Sequence, residues 1–209
     1  MIDNSYCSPL NQQPIKMGVD LVAQSATKFI GGHSDVVAGV VTGSKSIIKK
    51  IFDAEFLNIG GTISPMNAWL LIRGLRTLPI RLQRVCDSTK KVVDFLAQHP
   101  RVEKVIFPFH PGFTQYELAK KQMLDAGGLF SIVLKTDSVA GIEKFCNSLK
   151  HFLLAVSWGG HESLVIPSVV GFTPDQFDPA NTNHRIIRLY VGLEDPDYLI
   201  SDLKQALDT

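Results

Sequence analysis

The sequence lacks an excess of either charge and has no long apolar run, and each absence excludes a class of protein. The 21 Lys and Arg residues nearly balance the 20 Asp and Glu residues, so the formal net charge is +1. Such a balance gives no overall attraction to nucleic acid or to an anionic membrane surface. No window reaches the roughly 18 consecutive apolar residues that span a bilayer. We therefore expect neither nucleic-acid nor membrane partners.

Paired cysteines are also absent, because Cys7, Cys86 and Cys146 are odd in number and widely spaced. This usage is typical of free thiols in a reducing compartment rather than of a disulfide framework. The first ten residues carry neither the basic nor the apolar stretch of a secretion signal. The hydrophobic content of 45% is that of a chain able to bury a core. These features predict a soluble, cytoplasmic globular protein of one or two domains.

The pattern of apolar residues changes near residue 90 and predicts an α/β protein. The first part reads as two short strands around a glycine-rich loop, followed by helices that Pro79 divides. The second part alternates strands and helices, as in a small α/β domain. Strands are predicted over residues 19–26, 36–43, 102–108, 127–135, 155–157, 163–167 and 185–194. Helices are predicted over residues 45–52, 65–78, 80–97, 115–125, 138–149 and 196–207.

The segment SATKFIGGHSD, residues 25–35, places Lys28 at the carboxyl end of a buried strand. Removing an ammonium group from water lowers its pKa, and the neutral amine is a nucleophile for carbonyl groups, as in Schiff-base chemistry. The hydroxyls of Ser25 and Thr27 could donate hydrogen bonds to the phosphate of a cofactor bound there. The alternative is that Lys28 extends its amine into solvent while Ser25 and Thr27 only begin a turn.

Asp3 also follows an apolar strand end, and it suits the same chemistry. A carboxylate beside the ring nitrogen of pyridoxal phosphate keeps that nitrogen protonated, which makes the ring an electron sink. An Asx turn is the alternative for Asp3. His33 and Asp35 offer two potential ligands without a third, so no metal site is predicted and we expect them to shape the loop.

Four segments together resemble the Cys/Met metabolism family of pyridoxal phosphate enzymes, which includes cystathionine γ-synthase, cystathionine β- and γ-lyase and methionine γ-lyase. These segments span residues 2–41, 60–82 (GGTISPMNAWLLIRGLRTLPIRL), 157–164 (SWGGHESL) and 186–203 (IIRLYVGLEDPDYLISDL). The resemblance implies the aminotransferase-like fold of type I. It also implies that residues 1–90 are the latter part of the large cofactor-binding domain and residues 91–209 the small C-terminal α/β domain.

The resemblance assigns cofactor contacts to four residues. Lys28 is the lysine of the internal aldimine with pyridoxal 5′-phosphate, and it moves the proton between substrate carbons. Asp3 pairs with the pyridine nitrogen of the cofactor. Ser25 and Thr27 contact its phosphate and ring edge.

The resemblance assigns substrate contacts to two further residues. Arg188 binds the α-carboxylate of a small sulfur-containing amino acid, and Ser157 lies near that carboxylate and the catalytic lysine. An arginine in an otherwise apolar strand needs a partner, and its planar fork matches a carboxylate. A structural ion pair is the alternative for Arg188.

Two positions depart from the family pattern and bear on the reaction. Val156 stands where γ-synthases and γ-lyases for cystathionine carry an acid, and Trp158 stands where leucine is more usual. Both departures favour carbon–sulfur cleavage, as in β-lyases and methionine γ-lyases. A γ-replacement transferase of the cystathionine γ-synthase type is the alternative.

The resemblance also implies a sizeable region before Asp3 that this sequence does not contain. We expect either a complementing N-terminal segment or assembly into a homo-oligomer, a dimer of dimers, to cover the apolar faces left open. A truncated, catalytically silent assembly subunit is the alternative to an enzyme.

Overall fold

Three short strands form the first sheet in the computed structural model, which describes residues 1–209. They are β1 (Ile2–Asp3), β2 (Leu21–Ser25) and β3 (Gly39–Gly43), in that order across the sheet. β1 runs parallel to β2, with Asp3 opposite Ala23, and β3 runs antiparallel to β2. β3 begins three residues later than predicted, since Thr27 and Ala38 hydrogen-bond to each other and close the intervening loop.

Four helices accompany this sheet: α1 (Ser8–Asn11), α2 (Lys45–Ile51), α3 (Leu57–Ile59) and α4 (Pro65–Gln98). A turn of π-helix, Phe52–Phe56, joins α2 to α3. Ser44 and Ser64 begin α2 and α4, because each side chain accepts a hydrogen bond from a backbone N–H three residues later.

Helix α4 is continuous, so the prediction that Pro79 divides it is wrong. Pro79 cannot donate to the carbonyl of Leu75, but both residues lie on the exposed side of the helix. Arg81 is buried, and its guanidinium donates to the carbonyl of Gly74 at 2.8 Å. This contact bridges the helical turn that contains the proline. The helix also runs through residue 90 without a break, and the division of the chain there stays a prediction.

The second sheet has five strands in the order β4-β5-β8-β7-β6. All neighbouring pairs are antiparallel except β6 and β7, which are parallel. The strands are β4 (Val102–Ile106), β5 (Leu129–Leu134), β6 (Leu153–Leu154), β7 (Leu164–Pro167) and β8 (Ile186–Tyr190). The helices between and after them are α5 (Tyr116–Gln122), α6 (Val139–Ser148) and α7 (Pro196–Leu207). Two mixed sheets with flanking helices make this an α/β protein, as predicted.

Three predicted elements in this part miss an end by three or more residues. The strand predicted to reach residue 194 ends at Tyr190. The strand expected over residues 155–157 lies at Leu153–Leu154, because the carbonyl of Val156 accepts a hydrogen bond from Arg188 instead of joining a ladder. The helix expected to reach residue 125 ends at Gln122. The chain turns away there because the backbone N–H of Leu124 donates to the carbonyl of Asn11.

A large core and a smaller one hold these elements together. The large core contains 22 buried residues and lies between the second sheet, the C-terminal half of α4 and helices α6 and α7. The smaller core joins the loop after β2 to α4 and to the second sheet. It consists of Phe29, Leu78, Leu82, Val85, Cys86, Leu164 and Tyr190. No helix combines the length and the apolar character needed to cross a membrane.

Candidate active site

Lys28 lies in a tight turn that follows the carboxyl end of β2. Its backbone N–H donates to the carbonyl of Ser25, and its own carbonyl accepts from the N–H of Gly32. Phe29, the next residue, is buried in the smaller core and anchors the turn. The local fold therefore fixes the backbone of Lys28 and leaves its side chain half-buried at the surface.

The amine of Lys28 meets groups from the second half of the chain. Its Nζ donates to the Oγ of Ser157 at 2.9 Å and lies 5.3 Å from the centre of the Trp158 ring. Burial lowers the pKa of Lys28, and the positive charge of Arg188 lowers it further. A lower pKa increases the fraction of neutral amine at a given pH, which is the nucleophilic form.

Gly159 allows the loop that carries Ser157 to approach this closely. Its φ of +88° lies in the left-handed region, and a Cβ added there would lie 2.9 Å from the Cα of Lys28. Real Cβ atoms do not come that near to backbone atoms. Glycine is required for both reasons.

Arg188 is half-buried in β8 and has no carboxylate within ion-pair distance. Its guanidinium donates to the carbonyl of Val156, and burial lowers its pKa. The structural ion pair that the sequence left open is therefore absent. A guanidinium fixed beside a reactive amine, with no acid to neutralise it, can receive a carboxylate from a ligand.

Asp3 ends β1 and remains exposed. Its Oδ1 accepts a hydrogen bond from the backbone N–H of Ser5 at 2.8 Å. This contact is the Asx turn that the sequence left open as an alternative. Hydrogen bonds from the side chain and the backbone of Ser5 hold the pKa of Asp3 below its usual value, so the carboxylate is ionised at neutral pH. Ser5 in turn accepts from the N–H of Ser25 at 2.6 Å, which links Asp3 to the strand that leads to Lys28.

The two hydroxyls beside Lys28 differ in their availability. Thr27 donates its hydroxyl proton to the carbonyl of Ala38 and also accepts from the N–H of Ala38. Ser25 is half-buried, and its hydroxyl takes part in none of the side-chain hydrogen bonds of the chain. Ser25 is therefore free to donate to a bound ligand, whereas Thr27 is engaged in closing the loop.

The fold thus brings Lys28, Ser157 and Arg188 together. Asp3 and Ser25 lie at the carboxyl ends of the neighbouring parallel strands β1 and β2. The fold gives no direct contact between the side chains of Asp3 and Lys28. The five main surface cavities lie elsewhere, and Lys28 lines none of them. His33 shapes the loop, as expected, since its Nδ1 donates to the carbonyl of Gly31.

Sequence reasoning missed two residues at this site, Ser34 and Glu162. The hydroxyl of Ser34 donates to Glu162 Oε1 at 2.6 Å, although 128 residues separate them. One signal could have found the pair: each residue directly follows a Gly-Gly-His segment, at residues 31–33 and 159–161.

Comparison with known proteins identifies the family. Residues 1–208 match the model of the Cys/Met metabolism PLP-dependent enzymes. The chain belongs to this family. An L-methionine γ-lyase of Treponema denticola is 40% identical over 100% of the chain and 53% of its own length.

Relatives in the Cys/Met metabolism family carry more than one name. A cystathionine β-lyase of Lactococcus lactis is 40% identical over 100% of the chain and 55% of its own length. A cystathionine γ-synthase of Mycobacterium leprae is 38% identical over 100% of the chain and 54% of its own length. The chain therefore spans about half the length of the curated relatives that it matches.

The cofactor of the Cys/Met metabolism family, pyridoxal 5′-phosphate, needs an amine for its aldehyde, donors for its phosphate and an anion for its ring nitrogen. The donor set here fits these needs. The pKa of the Lys28 amine is lowered, the Ser25 hydroxyl is unengaged and the Asp3 carboxylate is ionised.

Proposed function

We propose that the chain is the lysine-bearing part of a pyridoxal phosphate-dependent carbon–sulfur lyase that acts in the cytoplasm on a small sulfur-containing amino acid. The reaction is of the cystathionine β-lyase, cystathionine γ-lyase or methionine γ-lyase type. The observation that carries the proposal is the convergence of Lys28, Ser157 and an arginine without an acidic partner, Arg188.

The same proposal covers the fold. Residues 1–90 form the latter part of the large domain of a type I enzyme, and residues 91–209 form its small domain. Support comes from the two separate sheets and from the family match over residues 1–208.

The cofactor, when bound, supplies an electron sink for the negative charge that develops at the substrate α-carbon. Lys28 would hold it through its amine, Asp3 at the ring nitrogen and Ser25 near the phosphate, while Thr27, whose hydroxyl is engaged with Ala38, would lie beside the phosphate and ring edge. Asp3, anionic because its pKa is lowered, would favour a proton on that nitrogen.

Arg188, Lys28 and Ser157 hold and deprotonate the substrate. Arg188 binds the α-carboxylate bidentately, which orients the α-hydrogen toward Lys28. The amine of Lys28 takes that proton as a general base and returns it to another carbon or to the departing thiol. Ser157 directs the amine, since its Oγ accepts a hydrogen bond from Nζ.

Replacement rather than elimination is the second candidate. A cystathionine γ-synthase is among the relatives at 38% identity, whereas Val156 departs from the acid expected in that branch. The products separate the candidates. With water, β-cleavage of cystathionine yields homocysteine, pyruvate and ammonia, and γ-cleavage yields cysteine, 2-oxobutanoate and ammonia. γ-Replacement joins the cysteine thiol to the γ-carbon of an activated homoserine and releases the activating group, without ammonia.

The remainder of the active enzyme comes from a complementing N-terminal segment, from further copies in a dimer of dimers, or from both. Support comes from relatives about twice as long and from large apolar side chains that lie exposed on α4. A catalytically silent assembly subunit is the alternative. Stable assembly with neither cofactor uptake nor turnover would favour it.

The decisive experiment is borohydride reduction of the full chain with pyridoxal phosphate, with and without the N-terminal half of a relative, followed by peptide mapping. We expect the fixed label on Lys28 alone, lost in Lys28→Ala and retained in Lys91→Ala, which removes an exposed lysine of α4. A label on a different lysine, or none under either condition, would contradict the proposal.

A further inference from the structure

Two Gly-Gly-His segments, one in each part of the chain, lie beside the candidate site. Residues 31–33 follow Lys28, and residues 159–161 follow Ser157. The residues that come next are hydrogen-bonded, since Ser34 Oγ donates to Glu162 Oε1 at 2.6 Å. Both loops therefore meet twice, once at the amine of Lys28 and once at this second hydrogen bond.

The backbone on both sides is shaped for this contact. Ser34 adopts a φ of +57°, a left-handed conformation that is unfavourable for a residue other than glycine. A Cβ at Gly160 would lie 2.3 Å from Ser34 Oγ and 2.6 Å from Glu162 Oε2. Such a conformation persists only where surrounding contacts hold it, and the Glu162 carboxylate is the contact that Ser34 makes.

The surroundings of Glu162 favour the ionised form of its carboxylate, which accepts the hydrogen bond from Ser34. Its Oε2 is buried without a hydrogen bond, and the nearby Nδ1 of His161 is 3.0 Å away. Burial alone would raise the pKa of Glu162, but the hydrogen bond from Ser34 and those from backbone N–H groups hold the pKa below its usual value. An ionised acceptor makes a hydrogen bond stronger than a neutral one.

The Trp158 ring packs edge-on against Phe29, with 5.7 Å between the ring centres, and brings this loop near the Lys28 turn, but the other hydrogen bonds of the loop lead elsewhere. Tyr190 donates its hydroxyl to the carbonyl of Gly160 at 2.9 Å, and the N–H of Leu193 donates to the carbonyl of His161 at 2.8 Å. Both contacts attach the loop to β8 or to the residues just after it. Neither reaches the turn that carries Lys28.

We propose that Glu162 is a positioning residue that, through Ser34, holds the loop of residues 157–160 against Lys28 and keeps Ser157 Oγ within hydrogen-bond distance of the amine. The inference rests on the proposed function only in taking Lys28 as the reactive amine. It adds a residue that touches neither Lys28 nor any ligand group named above.

The test measures Lys28 in the cofactor-free full chain. Acetic anhydride acylates neutral amines, and peptide mapping gives the rate at Lys28 as a function of pH. Without the contact, Lys28 is better hydrated and its pKa rises. In Glu162→Ala and Ser34→Ala we expect the midpoint of the rate profile to move to higher pH and labelling near neutral pH to fall about threefold.

Three variants give the inference its specificity. Glu162→Gln keeps a carbonyl acceptor for Ser34 and should retain most of the wild-type profile. The double variant Glu162→Ala/Ser34→Ala should be no worse than either single one, because both remove the same contact. Glu143→Ala, at an exposed acid of α6 without a side-chain hydrogen bond, is the matched control and should leave the profile unchanged.

An unchanged profile in both single variants, or effects that simply add, would overturn the inference. If Glu162→Ala does not fold, Ser34→Ala and Glu162→Gln decide the matter, since each is a smaller change. The proposed function fails by a different result, namely borohydride fixation of the cofactor at a lysine other than Lys28. That result would not alter the acylation profile of Lys28, so the two failures are distinguishable.

Discussion

At the scale of single residues, Gly159 controls how closely the two halves of the site meet. Replacement by alanine combines a left-handed backbone with a Cβ 2.9 Å from Lys28 Cα, whereas Gly171 has a φ of +82° and open space around it. The pair therefore separates conformational cost from steric clash.

We predict that Gly171→Ala lowers the free energy of unfolding by about 1 kcal/mol and Gly159→Ala by about 2 kcal/mol or more. Urea denaturation of both variants measures the difference. Equal losses would mean that the loop can move away from Lys28 at no cost.

Single residues also show how far the sequence could go. The positions of Lys28 and Asp3 after apolar strands could be predicted from the local pattern, whereas their roles toward a cofactor stay predictions. The contact of Ser34 with Glu162 joins residues 128 positions apart, and only the Gly-Gly-His segment that precedes each of them marks the pair in the sequence. The absence of an acid beside Arg188 required the three-dimensional arrangement of β8 and the Val156 loop.

At the scale of elements, helix α4 is informative because it continues through a proline. A proline inside a helix removes one hydrogen bond and crowds the preceding turn, at a cost of about 3 kcal/mol. Pro79 is exposed, and the adjacent Arg81 attaches the helix to the carbonyls of Gly74 and Phe29. Tertiary contacts therefore override the local signal from which the sequence predicted two helices.

We predict that Pro79→Ala raises the free energy of unfolding by about 1–3 kcal/mol, because it restores the donor for the carbonyl of Leu75. Thermal and urea unfolding measure the gain. Lys91→Ala, at another exposed position of α4, should change stability by no more than about 0.5 kcal/mol. A loss of stability in Pro79→Ala would show that the Arg81 contacts depend on the local geometry that the proline imposes.

Element ends that depend on neighbouring residues are predicted correctly, and ends that depend on residues distant in sequence are not. Helix α7 is predicted at both ends because Asp195 caps it and Pro196 begins it, and both signals are local. The predicted ends of β6 and α5 are wrong because residues distant in sequence hydrogen-bond to the backbone there. Arg188 donates to the carbonyl of Val156, and the carbonyl of Asn11 accepts from the N–H of Leu124.

At the scale of the whole molecule, the loop after β2, helix α4 and the second sheet share one small core. Phe29 from the loop of Lys28 packs in it with Leu78 and Leu82 of α4 and with Leu164 and Tyr190 of the second sheet. The hydroxyl of Tyr6 adds a second link by donating to the carbonyl of Leu129. The residues that follow Lys28 and Ser157, Phe29 and Trp158, therefore pack at the same core.

The opposite side of the first part is apolar and uncovered, and we define an exposed apolar face there. Four of its members recur every third residue along the N-terminal half of α4, and the other two line a cavity with Val37 and Val41. The face consists of Phe56, Ile63, Met66, Trp69, Ile72 and Leu75. Large apolar side chains exposed close together in this way indicate a site of association.

We predict that the full chain associates through this face as its concentration rises, and that Trp69→Gln/Ile72→Gln shifts it toward monomer. Trp69 and Ile72 are 54% and 56% exposed, so their replacement removes little internal packing. Leu124→Gln is the matched control, because Leu124 is 80% exposed but lies outside the face. Sedimentation velocity over a concentration series measures the assembly. A wild-type chain that stays monomeric, or an equal shift with Leu124→Gln, would show that this face does not drive association.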